Sequence, residues 1–557
     1  MTDLMLSVPM FDRVGRADYW IPRGALVVAS ELRGSGLDVR LIDMDLLADN
    51  DGERRQRIAE IIRREKPERI FLSIHGLFAV ARFAYLLDFE EIRSENADIA
   101  FVAGGPLLTV NQEYVRRFLD VDQTVIGHVD SSTITQLVEG IKTRERTINL
   151  TPSADGRYAY HVDEKIYEDL IGLAGEELGT PKISAHLETV RSCPHNCAFC
   201  SIPATFPHLP KGRIQLRRLQ DIESELDFLA SHGIEEINLG DPTFGVDWRH
   251  ATEVMDRLSG RFSWGVMSRG EGLTEERLRV MHGSGCTSIA LGIETPDCVT
   301  LEAVHKKTTA GRNAETILRI KNAGIEPIAL VILGLSERDD FAQLTKYLYE
   351  NRVEKVVATI YHPTPGSDSF EKDVGRAEMT SVRDLEDFDF LGLPVLDFQD
   401  TKRLEARRLA IRTAYANPND RRYRPETEEL KRILATEPNE FEYAWVEDCL
   451  VARIGQHVYL YEPPGEYGEF RPLKLSDEGD GIETARQAMR EWKTDESVRK
   501  SSYEAFKGQP NAKLAKARSI REEILAECKG ADFQRRLRER ANREPPGLRR
   551  LLLYPHG

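Results

Sequence analysis

Arg191-Ser192-Cys193-Pro194-His195-Asn196-Cys197-Ala198-Phe199-Cys200 carries three of the chain's seven cysteines within eight residues. The spacing is Cys-x-x-x-Cys-x-x-Cys. Iron–sulfur clusters are held by cysteine thiolates, and three thiolates on one short loop serve three irons of a [4Fe-4S] cluster. No fourth cysteine is near, since the next, Cys286, lies far along the chain. One iron is then left for a substrate or cofactor to bind. A zinc site would want a further Cys or Cys/His pair at ligand spacing, and His195 falls inside the loop at the wrong interval.

Composition narrows the partners. The chain has 557 residues, 41% of them hydrophobic and 30% charged, which fits a globular protein of three or four domains. A formal charge of -16 argues against nucleic acid or an anionic membrane as the main partner. No apolar run is long enough to span a bilayer. Met1-Thr2-Asp3-Leu4 lacks a basic segment followed by an apolar stretch, so no signal peptide is expected. An odd, sparse set of cysteines beside a cluster loop points to a reducing cytoplasm, with Cys286, Cys298, Cys449 and Cys528 as core or surface thiols.

Ahead of the cysteine loop, residues 1–150 alternate between strand and helix. Leu4 to Val8, Val39 to Asp43, Ile70 to Ser73, Ile99 to Ala103 and Thr124 to Ile126 read as strands. Gly24 to Leu32 and Ile58 to Glu65 read as helices, the first ending at Gly34-Ser35-Gly36 and the second at Pro67. Such alternation predicts a doubly wound, Rossmann-like parallel sheet whose ligands lie beyond the carboxyl ends of the strands. Candidate contacts are therefore the loop from Pro9 to Pro22, Ser73 to Phe78 with His75, Gly104-Gly105, and Gly127-His128. No G-x-G-x-x-G follows the first strand, which weighs against a dinucleotide.

Residues 151–180 are polar and mixed and read as a linker. From Ser184-Ala185-His186-Leu187-Glu188-Thr189-Val190, the strand that enters the cysteine loop, a second alternating block runs to about residue 390. Its later strands end in Gly240-Asp241-Pro242-Thr243-Phe244, Ser268-Arg269-Gly270-Glu271, Gly292-Ile293-Glu294-Thr295, Gly334-Leu335-Ser336-Glu337 and Tyr361-His362-Pro363. Six strands with intervening helices make a partial (β/α)6 barrel, whose chemistry collects at the strands' carboxyl ends. Beyond 390 the pattern changes to a mostly helical region, with Val451 to Tyr461 as one or two strands and Thr484 to Arg550 as charged helix. This last region, 391–557, is expected to shape the substrate pocket.

Cys193-x-x-x-Cys197-x-Phe199-Cys200, followed in order by Gly-Asp-Pro-Thr-Phe, Arg-x-Glu, Gly-Ile-Glu-Thr and Ile-Leu-Gly-Leu, resembles the radical S-adenosylmethionine (SAM) core. The upstream sheet, with Pro22-x-Gly24, Leu41-Ile42-Asp43, Phe71-Leu72-Ser73 and Val102-Ala103-Gly104-Gly105-Pro106, resembles the cobalamin-binding domain of the cobalamin-dependent branch. The resemblance covers roughly residues 1 to 370. It implies a [4Fe-4S] cluster on Cys193, Cys197 and Cys200, with SAM on the open iron. Phe199 would flank the adenine, the Gly240 and Asp241 carbonyls would meet the SAM amino group, and Arg269 or Glu271 its carboxylate or ribose. Gly292 and Glu294 would line the ribose, Leu333 and Gly334 the adenine. Cobalamin would thread its nucleotide tail against Ser73 and Gly104-Gly105, where glycine lets the backbone approach a bulky ligand.

Two points depart from the family pattern. The loop after the first strand lacks D-x-H-x-x-G, so no histidine of that loop ligates cobalt. His75 is the histidine placed to approach the metal, or else is an ordinary hydrogen-bonded loop residue. In the tryptophan-methylating branch an arginine faces the cobalt and a glutamate ligates the fourth iron. Arg69 stands at the wrong end of its strand for the first role, and Glu271 fits either the second role or the ordinary SAM contact. The resemblance implies a methyltransferase of natural-product biosynthesis, such as antibiotic biosynthesis, moving a methyl from SAM via cobalamin to a poorly activated carbon such as tryptophan carbon 2 or a pyrrole carbon. It takes a small-molecule substrate and an external electron donor. The alternatives are a cobalamin-dependent cyclase or rearrangement enzyme, a phosphorus methylase, or a cofactor sensor without turnover.

Overall fold

Short strand-forming runs build two parallel sheets in the computed structural model, the first from strands buried on both faces and the second from strands whose burial alternates. The structure describes residues 2–8, 18–48, 51–152, 157–178, 182–336, 338, 340–361, 363–373, 398–415, 427–446, 449–455, 457–462 and 469–472. The chain divides into two compact units, Met1–Pro438 and Asn439–Gly557.

The first strands are Asp3–Ser7 (β1), Asp18–Trp20 (β2), Val39–Asp43 (β3), Arg69–Ser73 (β4), Ala100–Gly104 (β5), Gln123–Ile126 (β6) and Thr147–Asn149 (β7). Six of them form a parallel sheet in the order β3-β1-β4-β5-β6-β7. Leu4, Leu6, Ile70, Leu72, Phe101 and Ala103 are buried in its core, as expected of strands covered by helices on both faces. Helices Arg23–Gly34 and Asp51–Glu65 pack beside it. The first ends where Gly36 takes a φ of +91°, a left-handed position that glycine occupies without steric cost. The expected five strands gain a sixth, β7. With only Ile148 of its three residues buried, it carries too little pattern to be read from sequence.

The next strands are Arg157–Tyr158 (β8), Lys182–Leu187 (β9), Val190–Arg191 (β10), Gln215–Arg217 (β11), Glu236–Leu239 (β12), Ser263–Ser268 (β13), Cys286–Glu294 (β14), Glu326–Leu333 (β15) and Lys355–Ile360 (β16). Sheet order β16-β15-β14-β13-β12-β9-β2 is parallel throughout. The six expected barrel strands are present, and β2 adds a seventh at the edge. Part of the segment expected as a ligand loop is thus a strand: Tyr19 pairs with Ile183, and its hydroxyl donates to Asp43 at 2.7 Å. Residues 9–17 of that segment lie outside the described residues. The expected linker is also structured. It contributes β8, beside β11 and β10 in a small sheet, and helix Glu164–Leu178, because Tyr158, Tyr160, Ile166, Tyr167 and Leu170 are buried.

Helices Phe398–Ala414 and Thr427–Thr436 belong to the first unit, so it extends past residue 390 to Pro438. In the second unit Phe441–Val446 (β17), Cys449–Ile454 (β18), His457–Glu462 (β19) and Glu469–Pro472 (β20) form an antiparallel meander, a fuller sheet than the one or two strands expected. The helix expected from Thr484 to Arg550, and Cys528 with it, lie outside the described residues. Among the described residues no helix is long and apolar enough to cross a membrane.

Candidate active site

The cysteine loop leaves β10 through Ser192, whose φ of +67° is left-handed. For a non-glycine residue this costs on the order of 1–2 kcal/mol. Glu294, His305 and Lys307 also have positive φ, at +61°, +56° and +56°. Four of the seven such residues in the described chain therefore flank one site, as stored backbone strain at functional sites tends to do.

Cys193, Cys197 and Cys200 are unpaired and partly exposed. Burial and the two neighbouring thiols push Cys200 up to about 11. Cys197 Sγ accepts from Arg269 Nη1 at 3.1 Å, and Cys193 Sγ lies 3.5 Å from Thr243 Oγ1. Among the described residues no three His, Cys, Asp or Glu side chains converge as ligands of a single metal ion. Cysteines that serve separate irons of a cluster need not converge on one point. Three free thiols on one loop, one of them against a guanidinium, fit a cluster that three cysteines hold.

Arg269 is the hub. It is 9% exposed. Its Nε and Nη2 donate to the two oxygens of Glu271 at 3.0 and 2.8 Å, and Nη2 also donates to the Lys306 carbonyl. The guanidinium holds the Glu271 carboxyl below its usual range despite burial. Lys306 Nζ in turn pairs with Glu294 Oε1, both side chains 8% exposed, and lies 6.0 Å from the Phe199 ring centre. A Cβ on Gly292 would come within 2.6 Å of both Glu294 Oε1 and Lys306 Nζ, so glycine there makes room for the pair. Phe199, Arg269, Glu271, Gly292 and Glu294 are thus neighbours around the cysteine loop. Lys306, Thr243 and Thr189 were not singled out in the sequence. Lys306 sits in no motif, and its place is set by the left-handed residues on either side.

Gly240 and Asp241 follow β12. The Gly240 N–H donates to Leu187 O at 2.8 Å. Asp241 is fully buried and accepts from the backbone of Thr189 and Val190 and from the Thr189 hydroxyl. Burial raises it to about 6. Its side chain therefore fastens the chain just ahead of the cysteines, which leaves only backbone for a ligand. Leu333 ends β15 and is buried, while Gly334 (φ +75°) faces Leu404: a Cβ would meet Leu404 Cδ1 at 2.6 Å. The absence of a side chain at Gly334 thus leaves room for Leu404 of the helix Phe398–Ala414.

At the other sheet, Ser7, Ser73 and Gly104 stand in register at the carboxyl ends of β1, β4 and β5. Gly105 has a φ of +129°, and a Cβ there would meet Ile74 O at 2.2 Å. Gly127 (φ +102°) similarly faces Leu150 O, at 2.9 Å from a Cβ. These glycines answer first to close approach of the protein's own backbone, not only to a ligand's. At Gly104 a Cβ would only reach ordinary contact with Val125, at 3.5 Å, and the Nε2 of His75 is shielded from solvent and unpartnered among the described residues. His128 differs from expectation. Its Nε2–H donates to Thr205 O at 2.9 Å and its ring stacks on Phe206, centroids 4.1 Å apart and 3° from parallel. It is a contact between the two sheets' domains. Arg69 pairs with Asp3 at the far end of the sheet.

A buried charge network joins the two domains. Arg23, at the start of the first helix, donates to both oxygens of Glu225, and Arg217 shares that carboxylate. The two guanidinium groups pull Glu225 down to about 2. Arg191, two residues before Cys193, lies 3.3 Å from Asp130 and 3.0 Å from Glu188, with its guanidinium carbon 4.0 Å from the Tyr158 ring centre.

Residues 187–348 match the radical SAM superfamily and residues 14–133 the B12 binding domain. The chain is 24% identical over 374 residues to an uncharacterised methyltransferase of Pyrococcus horikoshii, covering 63% of this chain and 78% of that protein. It is 21% identical over 389 residues to the hopanoid C-2 methylase of Rhodopseudomonas palustris, covering 66% of each. Among solved structures it shares its fold with the radical SAM methyltransferase TsrM of Kitasatospora setae with cobalamin and a [4Fe-4S] cluster bound (TM-score 0.50, 15% identity, 66% of this chain and 77% of that one). A second TsrM structure, with tryptophan substrate and a SAM analogue, matches at the same TM-score of 0.50 and covers 66% of this chain and 76% of that one. The two matched domains call for the [4Fe-4S] cluster, SAM and cobalamin.

Proposed function

With a B12 binding domain joined to a radical SAM domain as its premise, we propose that this chain is a cobalamin-dependent radical SAM methyltransferase that methylates a poorly activated carbon of a small molecule in natural-product biosynthesis. Heteroaromatic carbons, such as tryptophan carbon 2 or a pyrrole carbon, are the proposed acceptors. The fold shared with a tryptophan methylase favours that class. When bound, the cluster supplies single electrons and the reduced corrinoid supplies a two-electron nucleophile for a methyl group.

The observation that carries this reading is the Arg191–Asp130 contact. It ties the entrance of the cysteine loop to the loop after β6, which supports a reading in which the carboxyl ends of both sheets serve one site. Cys193, Cys197 and Cys200 hold the cluster. Arg269 orients Glu271 by a two-point contact and faces Cys197. Glu271 is read as the ordinary SAM contact, and the two-point grip of Arg269 holds its carboxylate ionised and in one orientation for that role. Gly240 and Asp241 offer backbone carbonyls to the amino group, and Phe199, Leu333 and Gly334 an apolar wall for the adenine. Lys306 and Glu294 present a buried charge pair beside Phe199. Ser73, His75, Gly104 and Gly105 face the corrinoid, with Gly127 and His128 at its margin. The free thiols fit a reducing cytoplasmic setting, and an external donor supplies the electrons.

The test is anaerobic turnover with SAM labelled at the methyl group and candidate heteroaromatic acceptors. Label recovered in the product supports the reading. Consumption of SAM to deoxyadenosine alone, with an unlabelled product, assigns the chain to cyclisation or rearrangement instead.

A further inference from the structure

From Thr189 to Gln220 the chain carries no acidic residue, although 92 of its 557 residues are Asp or Glu. That stretch holds the three cluster cysteines together with Arg191, Lys211, Arg213, Arg217 and Arg218. A second acid-free stretch, Ala303 to Ala314, carries Lys306, Lys307 and Arg312. The fold brings both against the cysteine loop. β10 and β11 pair antiparallel, so the chain that leaves through the cysteines returns through Pro210-Lys211-Gly212-Arg213. Gly212 has a φ of +80°, and a Cβ on it would stand 3.8 Å from Pro194 O. The Ala198 N–H donates to Val304 O at 2.9 Å, and Arg269 reaches from Cys197 to the Lys306 carbonyl. Lys211, Arg213 and Lys307 are exposed and pair with no carboxylate among the described residues. These solvated cations flank the loop whose thiols are themselves partly exposed. Asp368, 3.5 Å from Asn196, and the exposed Glu302 border the rim without pairing with them.

We propose that this basic rim is the docking surface for a small acidic redox protein that delivers single electrons to the cluster. The proposal rests on Cys193, Cys197 and Cys200 holding that cluster. An acidic carrier is repelled by a chain of charge -16 as a whole. A local positive rim therefore selects the orientation that brings the carrier's redox group up to the cysteine loop. The carrier gives one electron to the oxidised cluster and is oxidised by one, with no bond made or broken. The same overall charge disfavours nucleic acid as the occupant.

The docked complex is the same in either direction, so electron transfer is read downhill, from the pre-reduced cluster of the reconstituted full chain to the semiquinone of an acidic flavodoxin. Loss of the semiquinone absorbance gives the second-order rate. In the wild type this rate should fall as salt is added, the sign of local attraction between two proteins that are both negative overall. Lys211→Glu with Arg213→Glu, and separately Lys307→Glu, should slow it about tenfold or more at low ionic strength, with the gap closing at high salt. Transfer to methyl viologen, a small dication, should not slow, and iron content should hold. A wild-type rate that rises with salt overturns the proposal, and this arm needs no variant. So do flavodoxin rates that the variants leave unchanged, whether or not the variants lose binding to RNA. A wild-type chain that takes up no iron overturns the cluster assignment itself, and iron analysis separates that outcome from the others.

Discussion

Arg269 donates to Cys197 Sγ at 3.1 Å while its other nitrogens grip both oxygens of Glu271. One planar guanidinium therefore couples a cluster-binding thiol to the carboxylate proposed to meet SAM. Arg269→Ala should leave iron content near wild type, since the three cysteines remain. It should weaken SAM binding roughly tenfold to a hundredfold, the scale of losing a charged hydrogen bond. Arg269→Lys should recover only part of this, because one ammonium cannot serve Glu271, Cys197 and the Lys306 carbonyl together. Equilibrium binding of SAM to the reconstituted protein measures both.

Replacing Cys193, Cys197 and Cys200 together with Ala should abolish iron uptake and activity. The B12 binding domain shares none of these ligands, so corrinoid uptake should persist. Iron analysis and visible absorbance report the two cofactors separately. A cluster band surviving in the triple variant would refute the assignment of the thiols.

Glu225 sits between Arg23 and Arg217, with side-chain exposures of 4%, 18% and 0%. Glu225→Gln strands two buried cations and should destabilise the first unit by about 3–5 kcal/mol. Its folded value near 2 lies below the ordinary 4.5. The stabilisation is therefore complete above about pH 4.5 and is lost as the pH falls through 2. Denaturant melts at neutral pH should show the full deficit.

His128 titrates near 4 in the folded chain, mainly through burial, against an ordinary 6.5. A depressed value favours the fold above pH 6.5, and that stability is lost as the pH falls toward 4. The loss amounts to as much as about 3 kcal/mol. His128→Gln keeps a donor for Thr205 but removes the titration. Its melting temperature should fall less than that of wild type between pH 7 and pH 5.

The first sheet was legible because its strands are short apolar runs, the second because its strands recur in series with helices between them and end in turns that carry the motifs, and the cysteine spacing located the cluster loop directly. Strands β2 and β7 were not, since three residues each give no period to read. The site was legible where residues recur in motif order, as with Arg269, Glu271, Gly292 and Glu294. Lys306 escaped because its position depends on the backbone turns at His305 and Lys307. His128 and Gly334 were placed by strand position alone, and tertiary packing against Phe206 and Leu404 decided their surroundings. The buried segment around Tyr158 and Tyr160 passed for a linker because its apolar residues are interleaved with charges.

The central claim is that one site passes a methyl group from SAM to cobalt, and this can be measured without knowing the final substrate. The fully reconstituted chain is incubated with reduced cobalamin and SAM labelled at the methyl group, under strict exclusion of oxygen. The account predicts label on the corrinoid together with an equal amount of S-adenosylhomocysteine. Corrinoid that stays unlabelled while SAM is cleaved only to deoxyadenosine and methionine would contradict it.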